Sequence, residues 1–67
     1  MNWIKDGQRV QAKYLGTEPR AGLVVDSRVR YGGKVSYTVI LDEPANFPWR
    51  SEPTTLVIVD QDEIVEI

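Results

Sequence analysis

The chain has 67 residues, 42% of them hydrophobic and 27% charged, with a formal net charge of −2 and neither cysteine nor histidine. That length allows one small domain, near the lower limit for folding without disulfides or metal. The missing residue types exclude a disulfide framework and thiolate chemistry, and remove the commonest general base and zinc ligand together.

A negative net charge argues against coating nucleic acid through bulk charge. The distribution is uneven, however. Residues 1–34 hold seven Lys/Arg against three acids, and residues 35–67 hold one Arg against seven acids. Such a split predicts a dipolar surface if the two halves fold apart. The opening MNWIKDGQRV has no apolar export signal, and no apolar run approaches membrane-spanning length. The chain is therefore read as soluble, unexported and cytoplasmic, with no membrane partner.

Glycine or proline interrupts the chain about every ten residues, and the runs between are rich in Val, Ile, Leu, Thr and Tyr, which predicts an all-β fold of short strands. The first strand is expected over residues 8–14, where Val10, Ala12 and Tyr14 alternate with Arg9, Gln11 and Lys13. A loop, LGTEPRAG, follows. The second strand is expected over 22–30 and the third over 34–42.

Register decides what this hairpin displays. A three-residue loop, Tyr31-Gly32-Gly33, pairs Val29 with Val35, Ser27 with Tyr37, Val25 with Val39 and Leu23 with Leu41, giving one almost wholly apolar face. It also fits a type I turn closed by a left-handed residue, a position where Gly33 costs least. The opposite face then carries Arg28, Arg30, Lys34, Ser36 and Thr38, with Val24 and Ile40 further down and Tyr31 at the apex.

After the third strand, EPANFPWRSE reads as a loop. TTLVIV makes a fourth strand, DQDE a single helical turn capped by Asp60, and IVEI a short fifth strand.

Five short strands, a long first loop and one helical turn before the last strand resemble the SH3-like small barrel, most closely its Tudor-like and KOW-like forms. DGQRVQAKY, GLVV, YTVILD and VDQDEIVEI carry that resemblance, which spans about residues 6–67. It implies one barrel domain over 1–67 and a binding module. KOW-like barrels contact RNA or ribosomal and polymerase partners, and Tudor-like ones cage methylated lysine or arginine. A cage needs converging aromatics, and the spacing of Trp3, Tyr14, Tyr31, Tyr37, Phe47 and Trp49 predicts no such cluster. The block SRVRYGGKVSYTVILDEP also resembles small uncharacterised proteins of tailed phages, which implies phage origin and a host cytoplasm, and brings no function with it.

Three surfaces are candidates. The basic set Arg9, Lys13, Arg28, Arg30 and Lys34, with Tyr31 for stacking, has the ingredients of a nucleic-acid or anion site, and equally of a solvated strand face. NFPWR places Phe47, Trp49 and Arg50 in one loop, either as an interface anchor or folded back to plug an open barrel end. Val24 and Ile40, two β-branched residues on the outer face, are a candidate homo-oligomer contact. Asp60, Asp62 and Glu63 lack the spacing of a calcium loop and are read as helical-turn residues. No spacing assembles a base and a nucleophile, so neither catalytic residue, cofactor nor metal is assigned. The reading is a non-enzymatic module that docks on a larger protein machine through Phe47, Trp49, Arg50 and Tyr31. The alternatives are a nucleic-acid barrel using the basic tip, or a homo-oligomer holding a small anion such as a nucleotide between subunits.

Overall fold

A computed structural model describes residues 3–67. The fold is all-β, with five antiparallel strands: β1 (Arg9–Ala12), β2 (Arg20–Val29), β3 (Val35–Ala45), β4 (Thr54–Asp60) and β5 (Ile64–Glu66). They form one sheet in the order β4-β3-β2-β1-β5. Two 3-10 turns punctuate it, Tyr14–Gly16 after β1 and Gln61–Glu63 between β4 and β5. No α-helix occurs among the described residues, and hence no helix long and apolar enough to cross a membrane.

The sheet is open, because no ladder joins β4 to β5. It is nonetheless strongly curled. Five strands laid flat would hold the outer two about 19 Å apart, whereas the 3-10 turn linking these edges advances only about 2 Å per residue. The edges must therefore approach each other where β4 ends and β5 begins. Asp60 and Glu63 fix that corner by a capping box, each side chain meeting the other's backbone N–H. Asp60 caps as its position predicts.

The concave side holds the core: Val10 and Ala12 from β1, Val24 from β2, Val35, Tyr37, Val39 and Leu41 from β3, Val57 and Val59 from β4, and Ile64. Alternation along β1 and from Tyr37 to Leu41 of β3 accounts for most of it, with Ser36 buried as well at the start of β3. Each fully buried aliphatic side chain stabilises by about 1.5–3 kcal/mol. Tyr37 lies at the centre, 1% exposed, and its hydroxyl accepts from the Ile4 N–H at 3.2 Å.

The β2–β3 register matches expectation near the tip and departs from it below. Val29 faces Val35, and Ser27 faces Tyr37. A β-bulge then interrupts the ladder between Val24 and Asp26, so that Val24 faces Val39, Leu23 faces Ile40, and Gly22 faces Leu41. Everything below the bulge on β2 is turned over. Val24, expected outside, is 0% exposed, and Val25, expected inside, is 41% exposed. The cause is that β2 serves two neighbours. Val24 also donates to the Gln8 carbonyl and accepts from the Gly7 N–H, so β2 bends where β1 and β3 part company.

The tip turn differs in kind. Gly33 has φ +81°, as expected, but Gly32 is also positive at +89°. A positive φ at the third residue of the turn excludes type I and is what type II requires.

The expected charge dipole is absent in that form. The basic strands β1 and β2 lie between the acidic β3 and β4 on one side and β5 on the other, and Arg9 of β1 pairs with Asp42 of β3.

Candidate functional site

The loop leaving β3 folds back onto the end of β1. Strand β3 runs on through Pro44 to Ala45, further than expected, beyond an irregularity in its pairing with β4 that spares proline a ladder hydrogen bond. Phe47 then drops into the core at 4% exposure, while Trp49 remains 52% exposed. A turn in which the Arg50 N–H donates to the Phe47 carbonyl at 3.0 Å sets the two rings side by side. The Phe47-Pro48 bond is trans.

Three aromatic rings meet here. Phe47 and Trp49 stack at 5.0 Å between centroids and 15° between planes. Tyr14 meets Phe47 edge-on at 5.2 Å and lies 6.2 Å from Trp49. These geometries are the ones aromatic pairs prefer. The Arg20 guanidinium sits 5.3 Å above the Phe47 ring, within cation–π range. Tyr14 reaches this corner because β1 ends in a tight 3-10 turn. Leu15 (φ 50°) and Gly16 (φ 76°) reverse the chain, and Thr17 donates to the Tyr14 carbonyl through its N–H at 3.0 Å and its hydroxyl at 2.6 Å.

An aromatic cluster therefore exists where the spacing predicted none. The two readings of NFPWR are divided between its rings: Phe47 folds back into the core and supports Trp49, which carries the exposed surface beside exposed Arg50. Tyr31 is not part of this corner; it stands fully exposed at the hairpin tip.

The basic residues do not gather into one surface. Arg28, Arg30 and Lys34 are exposed near the tip, with Arg28 3.5 Å from Asp26 in a highly solvated ion pair. Arg9 lies opposite Leu23, and the chain reaches Lys13 only past the Ala12–Arg20 pair. From Leu23 to Arg30 is on the order of 20 Å of strand, so both lie towards the far end of β2. Arg9 is moreover occupied, its two terminal nitrogens contacting the two Asp42 carboxylate oxygens at 3.3 and 2.5 Å. Those hydrogen bonds first, and the carboxylate charge second, raise its pKa above the usual arginine value. Lys13 shares a shallow groove with Asp62 and Glu63.

Of the pair proposed for self-contact, only Ile40 is on the outer face, beside Leu23 of β2 and Leu56 of β4. Val24 cannot take part from inside the core; the bulge gives Val25 its place at the surface. Among the described residues no three acidic, His or Cys side chains gather to hold a metal.

Neither a protein-family model, nor a curated protein, nor a solved structure matches this chain.

Proposed function

We propose that this chain is an SH3-like small-barrel module, cytoplasmic and non-enzymatic, that docks on a protein partner within a larger assembly through Trp49 and Arg50. The single observation that carries the reading is the mounting of Trp49. Half of its surface is open to solvent, while its ring is stacked on a buried Phe47 and flanked by Tyr14. A large aromatic held in place before binding loses little conformational freedom on association, and Trp and Arg are the residues that most often anchor interfaces. The barrel reading is supported by the strand order and by the three-residue link between the two edges, which forces the curl.

The nucleic-acid alternative has exposed Arg30, Lys34 and Tyr31 in its favour, and the separation of Arg9 and Lys13 from that tip against it. Capture from cell lysate on immobilised protein, with and without nuclease, separates the two. The docking reading expects a protein partner retained after nuclease and weakened by Trp49→Ala by about 2 kcal/mol, roughly thirtyfold in affinity. Capture that disappears with nuclease, or with Arg30→Ala and Lys34→Ala while Trp49→Ala is silent, transfers the function to the tip.

A further inference from the structure

Strand β4 ends the sheet, and only its β3 side is paired. Among the described residues, no backbone group between Thr54 and Val59 makes a hydrogen bond outside that ladder. Exposed strand edges invite another chain, and proteins ordinarily blunt them with lysine, proline, a bulge or an inward charge. Along TTLVIV β4 carries no lysine, proline or inward charge, and the one irregularity of its ladder lies at its start, between Thr54 and Leu56; its one charge, Asp60, stands at the very end and belongs to the capping box. The opposite edge, β5, is only three residues long.

The unpaired edge also has a facing wall, because the Tyr14–Gly16 turn lies against β4. Residues 54–58 line one side of a groove of about 480 Å³ whose remaining lining is Tyr14, Arg50 and Pro53. That volume is within the range of natural ligand sites. Arg50 is the only charged residue of the lining, and among the described residues it forms no ion pair. On the outer face beside the groove, Leu56 and Ile58 are 51% and 53% exposed.

We propose that β4 accepts an extended peptide segment of a protein partner as a sixth strand, apolar at alternate positions and carrying a carboxylate that reaches Arg50. This rests on the docking reading above and gives it a binding mode. Main-chain hydrogen bonds supply the attachment, and alternate side chains supply the selectivity. One set of apolar side chains lies beside Leu56 and Ile58 as cross-strand neighbours. The carboxylate follows from the groove's single unpaired cation. A second copy of the chain is a poorer occupant. Its own β3 would follow its β4 into the groove and meet Tyr14 and Arg50, whereas a lone extended segment has no third strand to place.

A bacterial-surface library of random octapeptides, sorted on the intact protein, tests this. Enriched peptides should alternate apolar residues and carry Asp or Glu. Arg50→Glu, an exposed substitution checked for folding by circular dichroism, should weaken them about tenfold or more. N-methylation of alternate peptide amides should abolish binding, and bound peptide should slow amide exchange in residues 54–59. Peptides that bind yet tolerate N-methylation at every position overturn strand addition and leave the docking module standing on its Trp49 result. No enriched sequence, or a wild-type protein that dimerises with protected β4 amides in the absence of peptide, also overturns it.

Discussion

At the level of single residues, glycine does two different jobs in this molecule. Gly33 lies in open space and is needed for its positive φ. Gly22 has no unusual backbone angle; it is needed for room, since an added Cβ would lie 2.5 Å from the Ile40 carbonyl oxygen and 2.7 Å from Val39 Cγ1. The first contact is with backbone, which cannot rotate away. Gly22→Ala should therefore cost about 2–3 kcal/mol by overpacking, against about 1 kcal/mol for Gly33→Ala, which meets only the left-handed penalty. Urea unfolding of the two variants checks the order; a Gly22→Ala milder than Gly33→Ala would show that β2 and β3 do not approach so closely. The Arg9–Asp42 pair is a third residue-scale feature. A raised arginine pKa gives stability that is fully present below the unfolded value and lost only as pH climbs through the folded one, so Arg9 confers no pH dependence near neutrality. Both partners are well solvated, and a double-mutant cycle should return a small coupling that shrinks as salt rises.

Among the elements, the strands and the capped turn were legible in the sequence, because period-two alternation and a well-placed aspartate are local signals. The bulge was not legible, and the reason is specific. Val24 and Val25 are the same residue type, so either parity puts a valine inside, and the pattern looks equally apolar with or without the extra residue. What chooses between them is the bending of β2 between β1 and β3, a tertiary demand. The same identity yields a prediction. Deleting one of the two valines should remove the bulge while preserving every remaining partner, from Leu23–Ile40 through Val29–Val35. That variant should fold with the native core and lose the local twist a bulge adds. Deleting Thr38 from β3 should invert inside and outside along half that strand and unfold the domain. Cross-strand proton contacts by NMR distinguish a retained ladder from a slipped one; a single-valine deletion that unfolds would show the bulge itself to be required.

For the molecule as a whole, the aromatic corner was the least legible part. Its members come from the 3-10 turn after β1, the start of β2 and the loop after β3, and no spacing along the chain announces that Tyr14, Arg20, Phe47 and Trp49 will meet. Only Phe47 and Trp49 were visible as a pair, because they are neighbours across one proline. The same curled sheet sets the start of β1 beside the end of β5. β1 and β5 run antiparallel side by side, Val10 opposite Glu66, and the Ile67 N–H donates to the Arg9 carbonyl at 3.1 Å. The start of β1 and the end of β5 therefore lie side by side, and a force applied at these two points peels this ladder one hydrogen bond at a time. Handles at Lys13 and Ile67 would load the same ladder lengthwise, so that its bonds must yield together. The chain has no cysteine of its own, so Asp6→Cys with Ile67→Cys, and Lys13→Cys with Ile67→Cys, give unique attachment points for optical tweezers. The first pair should open at clearly lower force than the second, and equal forces would mean that β5 is not the strand that bears the load. A sheet paired this way should yield easily when opened from the end where β1 starts, and resist when pulled along its seam.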